Sequence, residues 1–275
     1  MKEEQVKKQV RKRYAKAAKT SGSCCPSSAS SFSAPTSEQI SKMIGYTEEE
    51  MKAVPEGANL GLGCGNPTAM ASLKEGERVL DLGSGGGFDC FLAAKKVGKT
   101  GKVIGVDMTP EMLDKARANA KKGKYTNVEF RLGEIENLPV ADKSVDVIIS
   151  NCVINLAPNK KRVFEEAFRV LASKGRLMVS DMVLLKPLPE PVQKSVEAYT
   201  GCIAGAEIKD KYIELMRQAG FAQVKVLDEK VYPLEYIIGE DMLKEAFDRL
   251  NMTQEELIET ANSVVSIKVS AIKKE

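Results

Sequence analysis

The stretch at residues 81–87 reads Asp-Leu-Gly-Ser-Gly-Gly-Gly and separates an apolar run from a segment of helical periodicity at residues 88–97. A glycine-rich turn between a strand and a helix lets backbone N–H groups and the helix N-terminus approach a ligand closely. A dinucleotide fingerprint would need glycine at its sixth place, where this chain has Phe88. The turn therefore predicts a cofactor site with the order Asp-x-Gly-x-Gly-x-Gly, which is not the dinucleotide pattern.

A second feature of this site is Asp107, which follows the glycine turn by about 20 residues and ends an apolar run at residues 103–106. An acidic side chain at the tip of the second strand accepts hydrogen bonds from the two hydroxyls of a ribose. Glycine-rich turns also close ordinary strand–helix units. The turn and the acid together favour a cofactor site over that structural interpretation.

This combination resembles the first motif of S-adenosylmethionine (SAM) methyltransferases. The resemblance implies that the glycine turn wraps the methionine end of SAM, that Asp107 holds the ribose, and that Met108 lies against the adenine. The cofactor-binding residues predicted from this part of the chain are Asp81, Gly83, Ser84, Gly85, Gly87, Asp107 and Met108.

Composition sets the broad class of the protein. The 275 residues are 43% hydrophobic and 29% charged, with a net charge of +3, which is too small to indicate nucleic acid or an anionic membrane as a partner. The sequence has no run of about 18 apolar residues, and its first 19 residues are charged, unlike a signal peptide. We therefore expect a cytoplasmic protein that binds neither membrane nor nucleic acid.

Two residue types restrict the chemistry. The chain has no His, which excludes His-based acid–base catalysis, Ser-His or Cys-His nucleophiles and His metal ligands. It has six Cys, which in a reducing compartment are better suited to binding or redox work than to a disulfide framework. They are Cys24, Cys25, Cys64, Cys90, Cys152 and Cys202.

Strand patterns alternate with helix patterns through the middle of the chain, which predicts a parallel sheet with helices on both faces. Ligands of such sheets bind beyond the carboxyl ends of the strands, and Gly83, Asp107, Gly133, Asn151 and Cys152 all fall at such ends. Strands are expected at residues 78–82, 102–107, 128–132, 145–151 and 176–181, and helices at 88–97, 110–121 and 160–171.

The flanks are less regular. Residues 2–19 form a basic helix with one apolar stripe, which we interpret as a solvated face rather than a nucleic-acid arm, and residues 20–37 form a Ser-rich loop. Beyond residue 185 we expect helices at 208–219, 241–250 and 254–261 and strands at 222–227 and 264–272. The predicted segments are N-terminal helices and Cys-containing loops (1–70), a SAM-binding core (71–185) and a C-terminal α+β substrate-binding part (186–275).

Four further stretches resemble the arsenite methyltransferase family of class I SAM methyltransferases, which have a Rossmann-like sheet. Residues 133–139 read Gly-Glu-Ile-Glu-Asn-Leu-Pro, and residues 146–156 read Asp-Val-Ile-Ile-Ser-Asn-Cys-Val-Ile-Asn-Leu. Residues 61–67, Gly-Leu-Gly-Cys-Gly-Asn-Pro, and 200–203, Thr-Gly-Cys-Ile, match the family's other two cysteine motifs. The resemblance extends from about residue 57 to the C-terminus and, more weakly, to the Cys24-Cys25 loop. It implies further cofactor contacts on the adenine side from Gly133, Glu134, Ile135 and Glu136, and one from Asn151.

The implied activity is methylation of arsenite, giving methylarsonite or a dimethylarsenical and so detoxifying arsenic. Soft thiolates select thiophilic centres, and arsenic(III) bound by Cys64, Cys152 and Cys202 would keep a lone pair that can attack the SAM methyl group. No proton has to leave such a nucleophile, so the lack of His is no obstacle. The resemblance also implies that Cys24 or Cys25 relays arsenic or forms a transient disulfide with Cys64. A thiol reductant such as thioredoxin or glutathione would then reduce that disulfide.

Other functions remain open at this stage. Cys90 lies among apolar helix residues and is expected to be a core residue. The chain could methylate a carbon or oxygen of a small organic acceptor, or it could be a thiol metal-binding or sensing protein with a disused SAM fold. A structural zinc site is the weakest alternative, because the adjacent Cys24 and Cys25 lack the usual C-x₂₋₄-C spacing.

Overall fold

The structure is a computed structural model that describes residues 3–19, 36–193, 195–231 and 253–275. In these ranges eight strands form a single sheet. The strands are β1 (Arg78–Leu82), β2 (Lys102–Asp107), β3 (Val128–Leu132), β4 (Val145–Asn151), β5 (Leu171–Leu184), β6 (Glu207–Ile208), β7 (Ala222–Val231) and β8 (Val264–Ile272). Their order is β3-β2-β1-β4-β5-β8-β7, with β6 beside β5.

Helices precede, connect and follow these strands. They are α1 (Glu3–Lys19), α2 (Ser37–Met43), α3 (Glu48–Lys52), α4 (Pro67–Met70), α5 (Phe88–Val97), α6 (Pro110–Lys122), α7 (Lys160–Val170), α8 (Glu190–Gln193), α9 (Val196–Thr200), α10 (Lys209–Gln218) and α11 (Gln254–Asn262). Their starts follow local chemistry. Asn159, for example, caps α7 because its side-chain oxygen accepts a hydrogen bond from the Arg162 backbone N–H. Within the described ranges, no helix is long and apolar enough to cross a membrane.

Two hydrophobic cores cover the two faces of the sheet, because successive side chains of a strand point to opposite faces. In β1, Leu80 joins one core with Phe164 of α7 and Tyr212 of α10. Its neighbour Val79 joins the other core with Phe91 of α5. The predicted Rossmann-like α/β fold with helices on both faces is therefore confirmed.

The central strands β3, β2, β1, β4 and β5 run parallel to one another. Their carboxyl ends lie at one edge of the sheet, which brings together the residues that follow them. Gly83 follows β1, Asp107 ends β2, Gly133 follows β3 and Cys152 follows β4. The predicted convergence of these residues at one edge is observed.

The parallel sheet predicted for the middle of the chain is present from β3 to β5. Beyond β5, β8 pairs antiparallel with both β5 and β7, a direction that the alternation at residues 264–272 did not specify. Residues 264–272, whose hydrophobicity alternates, form the strand β8. Its neighbour β5 is longer than the predicted strand at 176–181. The strand begins at Leu171, so α7 ends one residue earlier than expected, at Val170. The helix predicted at 241–250 lies outside the described residues.

Candidate active site

The glycine turn after β1 adopts the backbone conformation that its sequence implies. Gly83, Gly85 and Gly87 have φ angles of 68°, 50° and 91°, in the left-handed region that favours glycine. A Cβ on Gly87 would lie 2.7 Å from the Phe91 ring, so this glycine allows the turn to pack against α5. A Cβ on Gly85 would meet no atom within 4 Å. The backbone at Gly85 therefore faces open space, as a ligand-binding turn requires.

Asp107 closes this turn from the neighbouring strand. One of its carboxylate oxygens accepts a hydrogen bond from the Gly85 N–H at 3.0 Å, and the other accepts one from the Thr109 N–H at 2.8 Å. Burial raises the pKa of Asp107, and the two N–H donors oppose that shift. Each oxygen keeps a second lone pair, so the carboxylate can still accept hydrogen bonds from a ribose.

A cavity extends from the glycine turn along the carboxyl edge of the sheet and encloses about 1660 Å³, including open solvent at its mouth. Most predicted cofactor residues line it: Asp81, Gly83, Ser84, Gly85, Asp107, Met108, Gly133, Ile135, Glu136 and Asn151. Gly87 does not line the cavity, since it packs against α5. Glu134 does not line it either and instead forms an ion pair with Lys7 of α1 at 2.7 Å.

The far end of the same cavity holds three cysteines. The Cys152 side chain is a neighbour of both the Cys64 and the Cys202 side chains, and the Cys64 and Cys152 sulfur atoms lie within 4.8 Å of each other. In addition, the Cys202 thiol donates to the Cys152 carbonyl oxygen at 3.2 Å, and the Cys64 thiol donates to the Ser180 carbonyl oxygen at 3.5 Å. The fold thus brings together three thiols that are distant in sequence.

The local environment favours the protonated thiols. Burial raises the pKa of Cys64. The neighbouring Cys202 and Cys64 side chains, together with burial, hold the pKa of Cys152 well above its usual range. At neutral pH these two side chains are therefore uncharged until a thiophilic ligand displaces their protons.

Close packing fixes the Cys64 loop against the sheet. A Cβ on Gly63 would lie 2.9 Å from the Asn151 amide nitrogen, and a Cβ on Gly65 would overlap the Ser180 hydroxyl. Asn151 also accepts a hydrogen bond from the Cys64 N–H at 3.0 Å and donates one to the Gly65 carbonyl oxygen at 2.8 Å. The glycines beside Cys64 are needed because the loop approaches β4 and β5 so closely.

Two of the three cysteines have an uncommon backbone conformation. Cys152 has φ 56° and Cys202 has φ 67°. A non-glycine residue in this region is uncommon and costs roughly 1–3 kcal/mol, so it persists where the surrounding structure holds it. Such residues concentrate at functional sites.

The remaining cysteines differ in what the structure shows. Cys24 and Cys25 lie outside the described residues. Cys90 is fully buried on α5, and its thiol donates to an Asp81 carboxylate oxygen at 3.1 Å, away from the three clustered thiols. Cys90 is a core residue, as its apolar neighbours predict.

Several site residues were missed by the sequence interpretation. The helix α1 is not simply a solvated basic face, because Lys7, Val10, Arg13 and Tyr14 line the cavity. The apolar stripe of α1 could have indicated that this helix packs on the protein, because Val10 belongs to the stripe and is buried. No local pattern identified three buried polar residues around the cavity, namely Tyr46, Asp89 and Asp181.

A hydrogen-bonded chain links both ends of the cavity. The Tyr46 hydroxyl donates to an Asp89 carboxylate oxygen at 2.7 Å and accepts from the Asn151 amide at 2.9 Å. Burial raises the pKa of Asp89, while the hydrogen bonds from Tyr46 and Asn151 oppose that shift. Because Asn151 also holds the Cys64 loop, the first turn of α5 is connected to the thiol end.

Comparison with known proteins gives a consistent picture. The family model described as "Methyltransferase domain" matches residues 73–220. The arsenite methyltransferase of Halobacterium salinarum is 50% identical over 81% of this chain and 59% of its own length. The human arsenite methyltransferase is 35% identical over 62% of this chain and 50% of its own. The chain thus spans between half and three-fifths of the length of these two curated relatives.

Two solved structures share the fold. The crystal structure of CrArsM, an arsenic(III) S-adenosylmethionine methyltransferase from Chlamydomonas reinhardtii, is similar with a TM-score of 0.62 and 31% identity, over 89% of this chain and 75% of CrArsM. The YcgJ protein of Bacillus subtilis has a TM-score of 0.60 at 22% identity, over 76% of this chain and 96% of its own, and supports the fold alone.

Proposed function

The chain belongs to the arsenic methyltransferase family of SAM-dependent methyltransferases, and from this premise we propose that it transfers the SAM methyl group to arsenite bound by Cys64, Cys152 and Cys202. The observation that carries the proposal is that three thiols line one end of a cavity whose other end is the glycine turn. Soft, closely spaced thiols suit a thiophilic substrate and have no role in methylating an ordinary organic acceptor.

Arsenite capture follows from the protonated state of the thiols. Each step exchanges an As–OH bond for an As–S bond, and the thiol proton leaves with the hydroxide as water. Cys64 and Cys152 therefore supply the protons that the leaving groups require, because their pKa values are raised. No separate acid is needed, which is consistent with a chain that has no His.

The residues at the other end of the cavity fit SAM. The open face of Gly85 leaves room for a ligand against the backbone. The Ser84 hydroxyl and the Asn59 amide nitrogen line the cavity and have no hydrogen-bond partner among the described residues. Two buried carboxyl groups, Asp81 and Asp89, also line it. Burial raises the pKa of both, and a cationic ligand beside them would favour their ionised forms. Bound SAM would supply an electrophilic methyl group on a positively charged sulfur. Asp107 would hold the ribose, and Met108 and the segment at 133–136 would lie on the adenine side.

The chain's own contribution to methyl transfer is to hold and orient the nucleophile. Arsenic bound to three sulfurs keeps its lone pair, so no side chain has to remove a proton from it. Correct placement of two reactants can contribute roughly 7–11 kcal/mol to lowering a barrier. Val10, Leu156 and Met182 line the cavity beside the thiols and would exclude water from the arsenic.

The reaction also needs an electron balance. Donation of the arsenic lone pair to a methyl group raises arsenic formally from As(III) to As(V). Two cysteine thiolates can return two electrons by forming a disulfide, which restores trivalent methylated arsenic. We assign this role to Cys64 with Cys24 or Cys25. A thiol reductant such as thioredoxin or glutathione would then reduce the disulfide.

In this proposal the three segments of the chain contribute one clustered thiol each. Cys64 comes from residues 1–70, Cys152 from the core at 71–185 and Cys202 from residues 186–275. The C-terminal segment would serve as the arsenic-binding part, and the protein would detoxify arsenic in the cytoplasm.

The test is to incubate the pure chain with SAM, arsenite and a thiol and to identify the arsenic products. Methylarsonite is expected, and dimethylated arsenic if a second round follows. Cys64→Ser should stop the first round and retain turnover of methylarsonite, which offers only two valences to protein sulfur. The proposal fails if the chain binds SAM but produces no methylated arsenic, and methylation of an organic acceptor in the same assay would favour that alternative.

A further inference from the structure

A carboxylate accompanies two of the clustered thiols. The sulfur atoms of Cys64 and Cys152 and an oxygen of Asp181 all lie within 4.8 Å of one another. Asp181 belongs to β5 and is fully buried. It does not line the cavity, so it reaches the thiols from within the protein.

Hydrogen bonds hold this carboxylate firmly in place. One oxygen accepts from the Asn155 amide and from the Met182 N–H, each at 2.9 Å. The other accepts from the Tyr212 hydroxyl at 3.1 Å and has a second lone pair. Ligands supported in this way by outer partners are typical of metal sites.

Arsenite makes no use of an oxygen ligand here. Trivalent arsenic bound by three sulfurs is pyramidal, and its lone pair occupies the fourth direction. Zinc and cadmium ions instead prefer four ligands in a tetrahedron, with sulfur and carboxylate oxygen both acceptable. We propose that Cys64, Cys152 and Asp181 form a binding site for a thiophilic divalent cation, Zn²⁺ or Cd²⁺, with the Cys202 thiol or a water molecule as the fourth ligand, and that this cation competes with arsenite.

The charges near the thiols are compatible with this proposal. Two thiolates and a carboxylate carry three negative charges, and a divalent cation offsets two of them. Lys160 lies near Asp181 and Cys202, and its burial lowers the pKa of its ammonium group. Cys90 and Asp81 form a second thiol–carboxyl pair in the same protein, but this pair has one thiol and one carboxyl group and is not expected to bind the cation.

Competition would occur at the thiols and not at the cofactor end. A divalent cation should therefore act as an inhibitor competitive with arsenite, and SAM should not displace it. The inference shares Cys64 and Cys152 with the proposed function but does not depend on methyl transfer.

The experiment is a Cd²⁺ titration of the full, reduced chain without SAM, followed by the ultraviolet sulfur-to-cadmium charge-transfer band. Asp181→Asn should weaken cadmium binding at least about tenfold, since loss of a ligand exceeds typical effects of outer partners. Cys152→Ser should weaken it further. Asp228→Asn, which alters a surface carboxylate paired with Lys268, and Cys90→Ser are the matched controls and should bind like the wild type.

The titrations should be repeated with Cys24 and Cys25 both replaced by Ser, so that thiols outside the described residues cannot supply the signal. Equal cadmium affinity for the wild type and Asp181→Asn would overturn the inference. If Asp181→Asn does not fold, X-ray absorption of cadmium-loaded wild type decides the question. Two or three sulfur neighbours together with a carboxylate oxygen support the site, and sulfur alone overturns it.

Arsenite competition separates this inference from the proposed function. Displacement of Cd²⁺ by one equivalent of arsenite supports a shared site. Cadmium binding without any arsenite binding would defeat the proposed function and leave the cation site standing. Arsenite binding without cadmium binding would overturn the cation site and leave the proposed function standing.

Discussion

The two ends of the cavity are built in different ways. The cofactor end comes from one strand–helix–strand unit, with the glycine turn after β1 held by Asp107 of β2. The thiol end joins residues far apart in the chain, and Cys64 meets Asn151 across 87 residues. A local unit fixes its geometry through backbone conformation, whereas the thiol end depends on correct closure of the whole fold. Errors in packing should therefore damage arsenic chemistry before they damage cofactor binding.

The largest expected effect tests whether the two ends have separate tasks. Cys152→Ser removes the central thiol of the cluster, and we expect arsenite methylation to fall at least about 100-fold because the arsenic is no longer oriented. SAM affinity should stay within about twofold, since none of the cofactor-end contacts changes. Turnover and calorimetric SAM binding would be measured together, with Cys90→Ser as a buried-thiol control. Full activity of Cys152→Ser would show that the thiol cluster is not the substrate site.

The complementary change lies at the cofactor end. Asp107→Ala removes the acceptor proposed for two ribose hydroxyls and frees the Gly85 N–H, so SAM affinity should fall about 10- to 100-fold. Arsenite binding to the thiols should persist. Asp146→Ala, which loses an exposed pair with Arg78, is the matched control. Unchanged SAM affinity in Asp107→Ala would refute the cofactor assignment.

A third change tests whether the thiol end depends on packing. Gly65→Ala places a Cβ against the Ser180 hydroxyl, and overpacking of this kind costs about 1–3 kcal/mol of unfolding free energy. We expect arsenite affinity to fall along with stability, while SAM affinity changes less. Removing the hydroxyl by Ser180→Ala in the same chain should restore part of both. If SAM and arsenite affinities fall equally, the two ends are not independent.

The smallest effect concerns pH and the carboxylate behind the thiols. Burial raises the pKa of Asp181 to about 7, so the folded state binds a proton more tightly than the unfolded state. This favours folding at acid pH, and the contribution is lost as the pH rises from about 4 to about 7. Asp181→Asn should reduce the dependence of the unfolding free energy on pH between about pH 4 and about pH 7. Denaturant titrations across this range would measure it, and identical slopes for wild type and variant would contradict the assignment.

The sequence predicted the cofactor end in more detail than the thiol end. The spacing of Gly83, Gly85 and Asp107 reflects one contiguous unit, so local patterns were sufficient. The positions of Cys64, Cys152 and Cys202 in the chain could not show that their side chains meet, and their grouping came from the family resemblance.

Most features that the sequence patterns missed depend on contacts between residues that are far apart in the chain. Asp181 lies inside an apolar strand, and nothing nearby shows that its carboxylate meets two thiols. Likewise, the antiparallel β8 could be recognised as a strand from its alternation, but its partner could not, since alternation does not specify direction. Tyr46 becomes part of the site only through the packing of its loop on α5 and β4.

The left-handed backbone at Cys152 and Cys202 has a consequence for the protein's evolution. Glycine would adopt these conformations more easily, so Cys152→Gly or Cys202→Gly would relieve roughly 1–3 kcal/mol of conformational strain at each site. The same change would remove a side chain that packs in the hydrophobic cluster beside the cavity and would make the unfolded chain more flexible, and both effects cost stability. Arsenic exposure therefore adds a selective reason to keep a cysteine in a backbone conformation that its own energetics disfavour.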